Sequence, residues 1–191
     1  MHVRGQSNVQ TWLGGPHWGL LPAIFVLPWI VPAGRLGPTT CLVWLAAIMA
    51  SYDLAERRIP NPLNALAALM GLAWGLAWGG PGGLGQALLG GLVAGGLLAV
   101  FFFLGAVGAG DVKALGALGT FLGPWGALQL FLFTVLAGGL LALGRLIWAR
   151  RRLAAWGAPG TWRLDAGGLE MPYGLAIASG ALAMAVMGGA Q

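Results

Sequence analysis

Two aspartates, Asp53 and Asp111, are the residues on which chemistry can rest. Asp53 closes the apolar run "CLVWLAAIMASYD" shortly before Arg57 and Arg58, and Asp111 stands in "GAGDVK", directly after another long apolar segment. An ionisable side chain costs about 2.5–3.5 kcal/mol at the centre of a membrane helix and less near the interface, so each acid calls for a reason. Each has a plain one. Asp53 can end a helix at the interface or pair with Arg57 at i+4 on the same face. Asp111 can cap a helix, because Gly108 and Gly110 let the backbone turn there and the positive end of the helix dipole favours a carboxylate. As a pair they offer more. Two carboxylates brought to about 3 Å share one proton, so the ionised partner can activate water while the protonated one polarises a carbonyl. For that, the ends of two helices distant in sequence must meet at one face of a bundle.

The composition supplies such helices. The chain is 58% hydrophobic and 8% charged, with a mean hydropathy of +0.81, where an ordinary globular domain carries about a quarter charged residues. The expected fold class is therefore all-α, a polytopic transmembrane helical bundle. A crossing needs roughly 20 apolar residues, and seven segments approach this length: 18–34, 39–56, 62–79, 85–107, 112–123, 125–148 and 171–189. The fifth is short and broken by Gly119, Gly123 and Pro124, so six to seven spans are expected. Residues 1–17 read as an N-terminal cytoplasmic segment without a secretory signal core, and 18–191 as one membrane domain. Gly71, Gly75 and Gly79, and Gly91 and Gly95, recur every four residues and predict close helix packing. The stretch 77–85, "AWGGPGGLG", reads as a turn.

Basic residues set the orientation, since cytoplasmic loops are enriched in Lys and Arg. With the N-terminus inside and seven crossings, Arg4, Arg57, Arg58, Lys113, Arg150, Arg151, Arg152 and Arg163 all face the cytoplasm and only Arg35 lies outside. "RRIPN" and "GAGDVK" then share a membrane face. The basic, aromatic stretch 145–156 is better explained by anchoring to membrane lipid than by nucleic acid. Other catalytic chemistries are poorly served. Cys41 is the single cysteine, His2 and His17 stand outside any metal-ligand spacing, and Ser51 and Ser179 lack a His or Lys partner and are expected to bond helix carbonyls. No metal and no organic cofactor is expected.

Around each acid the sequence resembles a known family. "DLAERRIPN", from Asp53 to Asn61, resembles the first motif of the type IV prepilin peptidases, an Asp followed by Ile-Pro-Asn. "GAGDVK" resembles their Gly-x-Gly-Asp-x-Lys motif, whose core is shared with the wider Gly-x-Gly-Asp class of intramembrane aspartic proteases. "MPYGLAIASG", from 171 to 180, resembles the Pro-Phe/Tyr-Gly stretch that opens the family's last helix. The resemblance implies that Asp53 and Asp111 are a catalytic dyad. It implies that Gly108, Gly110, Lys113, Pro60, Asn61, Pro172, Tyr173 and Gly174 bind substrate or support the site. It also implies that 18–191 is a peptidase domain of the bacterial inner membrane, cutting the leader of a pilin or pseudopilin precursor on the cytoplasmic side. Larger members carry a cysteine-containing N-terminal insertion and also methylate their product; this chain has no such insertion, so cleavage without methylation is expected. The oligomeric state is left open. A second function class remains, a proton- or cation-coupled transport subunit, since membrane acids and glycine-broken helices also build ion paths. A third is a scaffold subunit whose acids only cap helices.

Overall fold

A computed structural model describes residues 37–155 and 173–188, with side chains over 37–148 and 173–186. The expected segments 1–17 and 18–34, and Pro172 of the third motif, lie outside the described residues. Those residues form five helices and no strand: α1 (Pro38–Glu56), α2 (Asn61–Phe103), α3 (Ala109–Gly119), α4 (Gly123–Ala155) and α5 (Tyr173–Gly188). The all-helical expectation holds.

Helix α1 begins where Gly37 is extended and Pro38 fits the first turn, and it ends at Arg57, which takes the left-handed conformation with φ 51°. The Arg57 N–H donates to the Asp53 carbonyl at 2.9 Å. Pro60, extended at φ −63° and ψ 132°, then starts α2. Left-handed Arg57 and Pro60 together turn the chain through a link of only a few residues, because neither can continue α1.

Helix α2 takes in two of the expected spans. It has 43 residues, which if straight would measure roughly 65 Å against a hydrocarbon core of about 30 Å. Instead it folds back on itself. Gly80 has φ 58° and ψ −151°, a region open essentially to glycine, and Pro81 follows it. A Cβ built on Gly75 would lie 2.7 Å from the Gly83 carbonyl oxygen, and Gly71 in the first half and Gly91 in the second both abut Thr120. The expected spans 62–79 and 85–107 are thus the two arms of one hairpin, and the turn expected over 77–85 contracts to Gly80 and Pro81. Its second arm stops at Phe103, earlier than expected, because residues 104–107 form a turn in which Gly105 has φ 74°.

Of the described helices, three are long and apolar enough to cross a membrane: α1, α2, and α4 over Gly123–Trp148. Counting the two arms of α2 singly, the described residues hold four long apolar segments, against six to seven spans expected of the whole chain; α5 is a shorter apolar helix and α3 has 11 residues, roughly 16 Å of rise and half a crossing. Helix α3 packs chiefly on α2, α5 lies between α1 and α4, and α4 also touches α2. The core between them is aliphatic, with Leu42, Met49, Leu98, Leu115, Leu118, Leu130 and Ile177 all but sealed from outside. The outer surface is apolar too: Leu92, Phe103, Trp125, Leu140 and Val186 are each more than two-thirds exposed. That is the surface of a protein whose solvent is lipid, since water-facing surfaces seldom carry apolar patches of this extent.

Glycines set the spacing of these contacts. Gly91 and Gly95 face Gly116 of α3, and Gly71 and Gly75 face Thr120 and the second arm, as the four-residue repeats predict. Gly79 departs from that expectation: nothing lies within 4 Å of a Cβ built there. It adjoins the reversal at Gly80, beyond the region where the arms touch.

Candidate active site

The three motifs converge at one end of the bundle, where α1 finishes and α2, α3 and α5 begin. Asp53, in the last turn of α1, is only 7% exposed. Its Oδ2 accepts a hydrogen bond from the Gly174 backbone N–H at 2.7 Å, a contact across 121 residues. Gly174 sits in the first turn of α5, where backbone N–H groups have no helical partner and carry the positive end of the dipole. The approach leaves no room for a side chain. A Cβ on Gly174 would lie 2.8 Å from Asp53 Cβ, 2.9 Å from its Oδ2 and 3.1 Å from Ala50 Cα. Glycine at 174 is therefore what allows α5 to deliver an N–H to the carboxylate.

Asp111 is delivered by different means. Gly108 is extended and caps α3, and its N–H donates to Asp111 Oδ2 at 3.1 Å, so the half-buried carboxylate is held against its own helix start. The helix-capping role expected for Asp111 is thus present, and it also fixes the acid's position. Burial pushes the Asp111 carboxyl up to about 6; the Gly108 N–H opposes this shift, and the Asp53 charge adds to it. Tyr173, beside Gly174, is half-buried, touches Gly138 of α4 through its ring, and also senses the Asp111 charge.

The loop residues knit the first two motifs together. A Cβ on Gly110 would lie 3.9 Å from both Cβ and N of Ile59. Exposed Lys113 donates from Nζ to Asn61 Oδ1 at 3.1 Å. Pro60 caps α2 and aims Asn61 into its first turn. Of the sequence-predicted site residues, Asp53, Asp111, Gly108, Gly110, Lys113, Pro60, Asn61, Tyr173 and Gly174 all gather at this end. The Arg57 charge acts on Asp53, as the i+4 spacing suggests. Ser51 and Ser179 donate to the Ile48 and Leu175 carbonyls at 2.7 and 2.8 Å, as expected of helix hydroxyls. Among the described residues no group of His, Cys, Asp and Glu could hold a metal ion.

One polar residue at this end escaped the sequence reading. Asn64, one turn into α2, is 5% exposed, and neither its amide nitrogen nor its oxygen has a hydrogen-bond partner. The only hint in the sequence is an amide three residues after Asn61 on an otherwise apolar stretch, "NPLNALAALM".

No curated protein and no solved structure matches the chain. A family model does, that of the type IV leader peptidase family, over residues 40–143. This span takes in α1 with Asp53, the α2 hairpin, and α3 with Asp111, while Tyr173 and Gly174 lie beyond it. It covers more than half of the sequence, and it agrees with the motifs that meet at this end of the bundle: the chain belongs to the type IV leader peptidase family.

Proposed function

We propose that this protein is a membrane-embedded aspartic endopeptidase that removes the N-terminal leader of prepilin-like precursors. The observation that supports the reading is the gathering of both aspartates at one end of the bundle, Asp53 buried and fixed by the Gly174 N–H and Asp111 fixed by the Gly108 N–H with its carboxyl pushed up to about 6. A carboxyl in that range holds a proton for part of the time near neutrality, as an acid catalyst must. In the reaction one aspartate takes a proton from water as the water oxygen bonds to the scissile carbonyl carbon. The other gives its proton to the carbonyl oxygen. As the tetrahedral species collapses the C–N bond breaks, the departing nitrogen takes a proton from one aspartate, and a hydroxyl of the diol returns its proton to the other as the new carbonyl forms, so the dyad again holds one proton. Nothing covalent forms on the enzyme.

The site's supporting residues act by position. Gly174 and Gly108 hold one oxygen of each carboxylate, and the Lys113–Asn61 bond ties the start of α3 to the start of α2. The cut lies on the cytoplasmic side of a bacterial inner membrane, where positive-inside placement puts Arg57, Arg58 and Lys113. The transport alternative draws no support from the family assignment.

The test is leader removal from a co-expressed pilin-like precursor. Asp53→Asn and Asp111→Asn are each expected to lower cleavage by about 10³-fold or more, within the range of general acid–base contributions compounded by loss of the shared proton. Full processing by either variant would defeat the dyad.

A further inference from the structure

The Gly174 N–H that fixes Asp53 stands at the start of α5, and that start meets two other helices at once. On one side Gly174 is wedged against α1, with no room for a side chain beside Asp53 and Ala50. On the other side the ring of Tyr173 lies on Gly138 of α4. A Cβ built on Gly138 would stand 3.1 Å from Tyr173 Cε2, tighter than ordinary van der Waals contact, and 3.4 Å from both Cζ and the phenol oxygen. Gly138 is buried, whereas its neighbour Gly139 is exposed and a Cβ built there meets nothing within 4 Å.

The ring has little freedom to give way. It packs on the aliphatic core, and its own backbone is one peptide from Gly174, which is already in contact with α1. Close-packed interiors pass a displacement on instead of absorbing it. The path from α4 to the carboxylate is therefore short: Gly138, the Tyr173 ring, the Gly174 N–H, then Asp53 Oδ2 at 2.7 Å.

The geometry points to Gly138 as a positioning residue of the active site: by leaving room for the Tyr173 ring it lets α4 brace the start of α5, and so sets where the Gly174 N–H holds the Asp53 carboxylate. Gly138 acts only through those two residues. The inference rests on the peptidase reading for its effect on turnover, but the brace itself can be observed without cleavage.

The test compares Gly138→Ala with Gly139→Ala, which adds the same methyl one residue away, where it meets nothing. Alanine favours a helix over glycine in both, so both thermal midpoints are expected close to that of wild type. A misplacement of about 1 Å costs roughly 10²-fold in rate, so the smaller shift in Gly138→Ala is expected to lower kcat for leader removal roughly fivefold with KM unchanged. Its acid limb moves to higher pH, because a carboxylate with a weakened N–H donor takes up a proton more readily. Gly139→Ala keeps the wild-type kcat and profile. Tyr173→Ile removes the ring, and the Gly138→Ala effect is expected to vanish in that background.

A second readout needs no substrate. Isotopic labelling of Tyr carbonyls together with Gly amides marks a single peptide for NMR, because Tyr173–Gly174 is the one Tyr-Gly step in the sequence. Its amide proton is expected downfield in wild type and in Gly139→Ala, following a titration that Asp53→Asn abolishes, and to move upfield in Gly138→Ala. An unmoved signal in Gly138→Ala overturns the brace. A moved signal with kcat and pH profile unchanged overturns the positioning role, as does a kcat loss that persists in the Tyr173→Ile background or is shared by Gly139→Ala. Should the methyl at 138 prevent folding, Tyr173→Ile alone takes the same measurement, since it creates the one Ile-Gly step in the chain, and an unmoved signal there overturns the brace likewise. A wild type that gives the expected signals yet cleaves no pilin-like precursor upholds the brace and overturns the peptidase reading.

Discussion

Asp111 gives the site its most direct solution signature. With its carboxyl at about 6 in the folded protein and near 4 in an unfolded chain, the folded state holds the proton over the window between. The associated stability is complete below about pH 4 and is lost as pH rises through about 6. Thermal midpoints of wild type are therefore expected to fall between pH 5 and 7 by more than those of Asp111→Asn. Cleavage should fall on the alkaline side as the acid form is depleted, with a limb that moves when Gly108 is altered. Gly174 makes a second prediction. Gly174→Ala drives a methyl into Asp53 and Ala50, and overpacking of this kind costs about 1–3 kcal/mol. Because the displaced group is the carboxylate itself, activity is expected to drop by about 10²-fold or more, out of proportion to the change in melting. At this scale the sequence was legible in its acids and much less so in their partners. Asp53 and Asp111 announce themselves as charges among apolar residues. That Gly174 approaches Asp53 through a backbone N–H is a long-range packing fact with no local pattern, and Asn64 is visible only once its neighbours fail to satisfy it.

Among the elements, α2 is the one whose behaviour depends most on a single position. Gly80 takes φ 58° and ψ −151°, where any other residue is strained by about 1–3 kcal/mol. Gly80→Ala is expected to lower the thermal midpoint while leaving the residual active fraction with near-normal KM, because the reversal is remote from the carboxylates. An assay that separates folded fraction from kcat checks this. The sequence marked the turn through its cluster of Gly and Pro but placed it over nine residues, since such composition tells where a chain can reverse without saying which peptide does so. Asp111 was expected at the start of α3, and it stands in the first turn, although the helix begins at Ala109, three residues before the apolar segment counted from 112. Two glycines obscured the boundary, as they permit helix and turn alike.

For the molecule as a whole, the legible part was its class. Helices wrapped in exposed Leu, Phe and Trp follow from composition, but the number of crossings does not, because a short apolar helix such as the 11-residue α3 reads equally as a span or as half of one. Helices α1 and α3 converge because α5 and α2 hold them; the four-residue glycine repeat marks the α2–α3 contact, whereas the approach of α5 to α1 has no such period. The orientation makes a prediction at this scale. Cysteines introduced at 57 and 113, in a Cys41→Ser background, are expected to react with an impermeant thiol reagent only when it is admitted from the cytoplasmic side. Reaction of either from outside would reverse the proposed topology.

The reversal at Gly80 bears on how the chain enters its membrane. Between Arg58 and Asp111 the sequence carries no charged side chain, and the tip joining the two arms is a Gly-Pro corner flanked by the stacked rings of Trp74 and Trp78, 4.2 Å apart. No formal charge has to be translocated for this pair of arms to insert. They can partition into lipid together as one U-shaped unit, and the two termini of that unit, each leading to one of the aspartates, stay on the side where synthesis left them.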